Sequence, residues 1–125
     1  MKEAFSIRKR IHSFGYAFSG IRKAIASEWN MRIHIFAALC VIGAGVAFSI
    51  SIVEWIAIIF AIGLVISLEL INTSIEYCAD FVSPEKHETI KKIKDIAAGA
   101  VLIAAITSAA IGLLVFVPKI INCVF

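Results

Sequence analysis

Glu69, Asn72, Glu76 and Asp80 follow one another at steps of three and four residues, the first three within the string Glu69-Leu-Ile-Asn-Thr-Ser-Ile-Glu76. At about 100° per residue, positions i, i+3, i+7 and i+11 return to nearly the same side of an α-helix. Three carboxylates and an amide therefore share one polar face. Such a set can take a proton from a hydroxyl, hold a divalent cation and orient both. Lys94 and Asp95 lie further along the chain and Glu28 well before it, so charge of both signs is available to the same place. The three cysteines, Cys40, Cys78 and Cys123, have no metal-ligand spacing and are expected to be packing residues, neither disulfide-bonded nor zinc-bound.

The elements that position these residues are apolar to a degree that excludes an ordinary soluble domain. Of the 125 residues 61% are hydrophobic, and the mean hydropathy is +0.96, against roughly 45–50% apolar residues in soluble proteins. One domain, 1–125, is expected, all-α and integral to a membrane. Ile33 to Val53 is long enough for the roughly 20 residues that span hydrocarbon. Trp55 to Leu68 is too short alone, but it runs without Gly or Pro at its junction into the polar face and forms one helix with it. Ile96 to Val117 is a third run, which Pro118 is expected to close by removing a backbone donor. The reading is three transmembrane helices at about 30–53, 55–82 and 93–118.

Ahead of them, Ile7, Ile11, Phe14, Phe18, Ile21 and Ile25 draw an apolar stripe with Arg8, Lys9, His12, Arg22 and Lys23 off it. Residues 1–28 therefore read as an amphipathic segment lying in the membrane surface, although Gly15 and Gly20 weaken a single continuous helix. This segment is basic rather than an apolar signal region, so no cleavable leader is expected. Lys2, Arg8, Lys9, Arg10, Arg22, Lys23 and Arg32 precede the first span, and Lys86, Lys91, Lys92 and Lys94 separate the second from the third. The positive-inside rule puts those segments in the cytoplasm, and the first loop and the C-terminus outside. In the third span Ala100, Ala104, Ser108 and Gly112 form a row of small residues, which favours close helix packing within or between subunits.

Depth sharpens the chemistry. Counting about 1.5 Å per residue from Trp55, Glu69 lies about 21 Å into a core roughly 30 Å thick and Glu76 about 31 Å, at the inner boundary. Acids this deep are costly and face protein or a water-filled cavity. A structural role would need a cationic or hydrogen-bonding partner beside them. Phosphoryl transfer needs a cation on the phosphate oxygens, a divalent metal and a group to receive or orient the hydroxyl proton. Lys94, a Glu28/Glu76 magnesium pair and Glu69 can fill those roles, with ATP entering at the cytoplasmic end. Magnesium prefers oxygen ligands, which favours these acids over His12, His34 or His87; a lone His34 reads as a hydrogen-bonded structural residue. The sequence holds no GxxxxGK[ST] loop, Gly-rich kinase loop, HRD or DFG, so any kinase here is unrelated to the soluble kinds. A small proton-coupled exporter is the alternative, although it would favour a carboxylate in mid-membrane. An assembly subunit built on the small-residue row leaves the acids unexplained.

ELINTSIE at Glu69–Glu76 resembles the E-x-x-N-[ST]-[AS]-I-E signature of prokaryotic diacylglycerol kinases and undecaprenol kinases. KKIKDIAAGAV at Lys91–Val101 resembles their second block, and GYAFSGIR at Gly15–Arg22 their surface-helix segment. The likeness covers essentially the whole chain. It implies a lipid kinase of a bacterial inner membrane, a homotrimer with sites shared between neighbouring subunits, using ATP and Mg2+ on a lipid hydroxyl and taking no nucleic-acid partner. It implies Glu69 as catalytic base and lipid contact, Glu28 and Glu76 as magnesium ligands, and Tyr16, Glu28, Glu76, Glu85, Lys86, His87, Lys94 and Asp95 as ATP contacts. Lys9 and Ala98 would touch the lipid, and Asn72 and Asp80 would support the site. Ser74 stands where alanine is common, and Lys9 where arginine is frequent. Glu28-Trp-Asn-Met-Arg-Ile-His34 is similar to the E-x-N-x-R-I-H run of the undecaprenol kinase branch, which tilts the expected acceptor from diacylglycerol towards a polyprenol.

Overall fold

A computed structural model describes residues 4–125 as four helices, α1 (Ile7–Ser27), α2 (Trp29–Ala47), α3 (Ile52–Val82) and α4 (Glu88–Val124), with no strand among the described residues. Lys2, one of the basic residues counted above, lies outside the described residues. α2, α3 and α4 are each long and apolar enough to cross a membrane. At about 1.5 Å per residue, α3 and α4 exceed a hydrocarbon core of roughly 30 Å, so each carries at least one end into the head groups or beyond.

α1 opens on Ser6, whose hydroxyl accepts from the Lys9 amide at 3.4 Å, and runs unbroken through Gly15 and Gly20. Each interior glycine costs about 1 kcal/mol relative to alanine, which weakens the helix without dividing it. The stripe of Ile7, Ile11, Phe14 and Phe18 stays exposed, the condition for a helix whose apolar side meets a membrane surface. α1 turns into α2 at one extended residue, Glu28, with φ −114° and ψ 118°. Arg32 closes that corner: its Nε donates to the Ile25 carbonyl at 2.7 Å, an Nη donates to the Ala26 carbonyl, and the guanidinium lies 4.8 Å from the centre of the Trp29 ring. A cation thereby satisfies the last carbonyls of α1, while Met31, fully buried, anchors the first turn of α2.

The first span ends earlier than its apolar run. α2 stops at Ala47, and the Ser49 amide donates to Val46 O at 3.2 Å and the Ile50 amide to Gly45 O at 3.2 Å. That is a Schellman closure, with Ser49 at φ 50° in the position usually held by glycine. α3 then starts from a capping box. The Ser51 hydroxyl accepts from the Glu54 amide at 3.2 Å, and the Glu54 carboxylate accepts from the Ser51 amide at 3.0 Å.

α3 pairs most extensively with α4; α2 packs on α3, and α1 touches both. At the end near this turn, Ile50, Ile58 and Val115 are buried among Val41, Phe48, Trp55, Ile62, Ile111 and Phe116. Lys119 Nζ bonds Glu54 Oε1 at 3.0 Å, tying α4 to the first turn of α3. α4 accordingly continues through Pro118 to Val124, a correction to the expectation that proline would end it. A transmembrane helix keeps its form past a proline where neighbouring groups hold it, and here Val115 and Lys119 are both held on α3. The small-residue row closes on α3 within the chain. Ala104 is buried, and the Ser108 hydroxyl donates to the main-chain oxygen of Ala61 at 3.2 Å. Ala100, at one end of the row, is exposed. The cysteines do not pack inside the chain either: all three are free and exposed, because they lie on the outward sides of their helices.

Candidate active site

Beside Thr73, the buried residues of α3 form a single stripe, Ile58, Ala61, Val65, Glu69, Asn72 and Ala79, with Glu76 half-buried on the same line. Its upper part is apolar and packs α3 on its neighbours. At Glu69 it becomes polar without leaving the interior, so the helix contact that builds the fold also carries the acids into place. Glu69 is 1% exposed. Thr73, buried one turn on, donates from its hydroxyl to the Glu69 carbonyl at 3.0 Å, a back-bond that spares the carboxylate.

Two atoms of this stripe are orphans. Glu69 Oε2 and Asn72 Oδ1 are buried with no hydrogen-bond partner among the described residues. Leaving such a group unsatisfied costs about 1–3 kcal/mol, and a charged one more. Glu69 Oε2 does have a neighbour at ion-pair range, His34 Nε2 of α2 at 3.7 Å. Glu28, at the α1–α2 corner, and Glu76 both act electrostatically on Glu69. Glu28, Lys94 and Asp80 act in turn on Glu76, with Asn72 as its hydrogen-bonding neighbour. Three acids from two places in the chain thus converge, against two groups able to carry positive charge, His34 and Lys94.

Lys94 is already engaged, with its Nζ 2.5 Å from Asp80 Oδ1. That pair lines an open cleft of about 590 Å³ together with Glu85, Lys86, His87 and Asp95. The cleft is built by the α3–α4 connection. The Ser83 hydroxyl donates to the Glu85 carbonyl at 3.3 Å, and His87 caps α4 by accepting the Thr89 amide on Nδ1 at 3.1 Å. Asp95 bonds Lys91 at 2.6 Å along the same helix. The structure therefore brings Glu28, Glu69, Asn72 and Glu76 together and sets Asp80, Glu85, Lys86, His87, Lys94 and Asp95 around the adjoining cleft. That lining does not include Tyr16, exposed on α1, or Lys9 or Ala98. An apolar groove of about 250 Å³ runs from His34 between α2, α3 and α4, past Ala38, Val65 and Ala105 to Gly112.

No group of three or more His, Cys, Asp or Glu side chains among the described residues is arranged to enclose a metal. The surplus of carboxylate does fit a hard cation of the magnesium kind, which is held by one or two carboxylates and completes its shell with water and phosphate oxygens. Sequence reasoning reaches the acids by their periodicity but not Arg32, His34 or Thr73, which place them. The available signals were the step of four between Glu28 and Arg32, and the position of His34 just inside the first span.

Fold and site together define a small helical membrane protein with a buried acid on a polar helix face that leads to a charged cleft at one end of its bundle. The chain belongs to the prokaryotic diacylglycerol kinase family, whose model matches residues 15–116, and it is a phosphotransferase acting on an alcohol. It is similar to the undecaprenol kinase of Bacillus subtilis (strain 168), 43% identical over 108 residues that make up 86% of this chain and 88% of that one. The diacylglycerol kinase of Synechocystis sp. (strain ATCC 27184 / PCC 6803 / Kazusa) is 37% identical over 111 residues, 88% of this chain and 63% of that one. That of Escherichia coli (strain K12) is 30% identical over 98 residues, 78% and 80% of the two chains. Family membership decides for a kinase over an exporter.

Proposed function

We propose that the chain transfers the γ-phosphoryl group of ATP, with magnesium, to the primary hydroxyl of a membrane lipid, and that undecaprenol is preferred to diacylglycerol. The observation that carries the reading is Glu69: a carboxylate 1% exposed, with an orphaned oxygen, on the helix face that leads to the cleft holding Lys94. A hydroxyl presented to that oxygen would find a base and no competing water. The groove beginning at His34 gives an apolar lipid chain a path from the bilayer to the same point. The E-x-N-x-R-I-H run and the 43% identity to an undecaprenol kinase, against 30–37% for the diacylglycerol kinases named above, support the polyprenol.

In this mechanism ATP enters the cleft from the cytoplasm. Lys94 holds phosphate oxygens, and Glu85, Lys86, His87 and Asp95 surround the nucleotide. Glu28 and Glu76 would hold magnesium, which would supply neutralisation of the phosphate charge. Glu69 receives the hydroxyl proton as the lipid oxygen bonds to phosphorus and the bond to the departing ADP oxygen breaks, with no covalent enzyme intermediate. Asn72 orients the carboxylates on either side of it. Tyr16, Lys9 and Ala98, which do not line the cleft of their own chain, join the site from a neighbouring copy in a homotrimer. The basic segments support a topology with the N-terminus and the cleft on the cytoplasmic side of a bacterial inner membrane.

The test is transfer of labelled phosphate from ATP in mixed micelles to undecaprenol and diacylglycerol side by side, with Glu69→Gln as control. Preferential labelling of undecaprenol, abolished in Glu69→Gln while the assembly stays folded, is the expected result. Labelling of neither lipid by folded protein would overturn the kinase reading, and substantial turnover by Glu69→Gln would remove Glu69 as the base.

A further inference from the structure

A base that is fully buried takes up a proton once per turnover and must return it before the next. Glu69 has no direct route to water: its side chain is 2% exposed, and that of His34, whose Nε2 stands 3.7 Å from Glu69 Oε2, is 22% exposed. His34 lies six residues along the chain from the Glu28 corner, roughly 9 Å along α2, at the end of the apolar groove nearest the charged end of the bundle. The other groups that act on Glu69, Glu28 and Glu76, are acids, and Lys94 of α4 acts on Glu76. Of these neighbours, only the imidazole has two ring nitrogens, so that it can accept a proton on one and release one from the other.

We propose that His34 is a positioning residue for Glu69 and the exit for its proton, an inference that rests on the reading of Glu69 as base. With the imidazole neutral, Glu69 accepts the lipid hydroxyl proton during transfer. After product forms, the carboxylic acid passes that proton to His34 Nε2, which leaves a carboxylate beside an imidazolium. The imidazolium gives one N–H proton to water or buffer, and once the neutral ring has returned to the tautomer with Nε2 unprotonated the pair is ready again. At 3.7 Å the two groups are slightly beyond hydrogen-bond length, the looseness common in catalytic pairs before substrate closes the site.

The experiment compares the parent protein with His34→Ala and His34→Gln in the mixed-micelle assay, with and without added imidazole, across pH 5.5–9. The expected result for His34→Ala is a kcat lower by about 100-fold or more, KM values for ATP and lipid little changed, and a rate that climbs with imidazole concentration. His34→Gln, which keeps a donor near Oε2 but cannot carry a proton away, should stay slow and lose the acid limb of the profile. It also keeps the test open if the alanine variant fails to fold. His34→Gln matching the parent in kcat and pH profile would overturn the proposal, as would a slow His34→Ala that imidazole does not rescue. The parent's own labelling of lipid separates this failure from failure of the kinase reading.

Discussion

Replacing Gly45 by alanine should loosen the turn between α2 and α3 by an amount that can be worked out from one contact. A Cβ at position 45 would stand 2.6 Å from Trp55 Cη2, 2.9 Å from Cζ2 and 3.1 Å from Ile50 Cδ1. Carbon pairs are at ease at about 3.5–4.0 Å, so the indole would have to recede by about 1 Å. It cannot do so freely, since it packs on the cluster of Ile50, Ile58 and Val115. Overfilling a packed site costs about 1–3 kcal/mol, and the gain in helix propensity from glycine to alanine returns up to about 1 kcal/mol. The expected net loss is about 1 kcal/mol. Gly43 stands on the same helix with nothing within 4 Å of its would-be Cβ. Gly43→Ala should therefore be neutral or stabilising by up to about 1 kcal/mol. Both variants can be measured by reversible unfolding in dodecylmaltoside–SDS mixtures, with Trp55 fluorescence reporting the turn. Equal stabilities for Gly45→Ala and Gly43→Ala would refute the packing argument.

Ser49→Gly should stabilise the protein by about 1 kcal/mol in the same assay, because the residue already holds a left-handed conformation that costs an L side chain roughly that much. Asp80→Asn should raise KM for ATP by no more than about fivefold, since the Asp80–Lys94 pair is largely solvent-exposed and such pairs contribute little; a hundredfold rise would mean that Asp80 touches the nucleotide or its metal. Arg32→Met should cost about 0.5–1.5 kcal/mol of stability through the loss of its bonds to the solvent-accessible Ile25 and Ala26 carbonyls. It should also raise KM for ATP by displacing Glu28, which steady-state kinetics at varied magnesium would show.

The spans and the polar face were legible because each is a repeated pattern: some twenty apolar residues for the first, a recurrence near 3.5 residues for the second. What escaped reading depends on single residues whose role is set by a partner far away in sequence. The α2–α3 turn is hidden in a continuous apolar run, since Ser49 takes the place where a glycine would have announced a helix end. The only local mark is the Ser51-x-x-Glu54 capping box. Pro118 carries its usual meaning for water-soluble helices, and contacts such as that of Lys119 with Glu54, 65 positions before it, show why α4 continues beyond the proline. Glu69 could be singled out from its type and depth, but its pairing with His34 across 35 residues of chain could not, because a lone histidine has no periodicity to give it away.

Cys40, Cys78 and Cys123 are exposed and unbonded, one each on α2, α3 and α4. They form a natural set of three reporters at different heights in the bilayer: Cys40 midway along its helix, Cys78 near the charged cleft and Cys123 at the far terminus. Thiol reagents that do or do not cross membranes would read the protein's sidedness from Cys78 and Cys123 without any engineering. Copper-catalysed oxidation would join whichever of the three meets its counterpart in an assembled complex, so the wild-type chain carries its own probes of how copies are arranged.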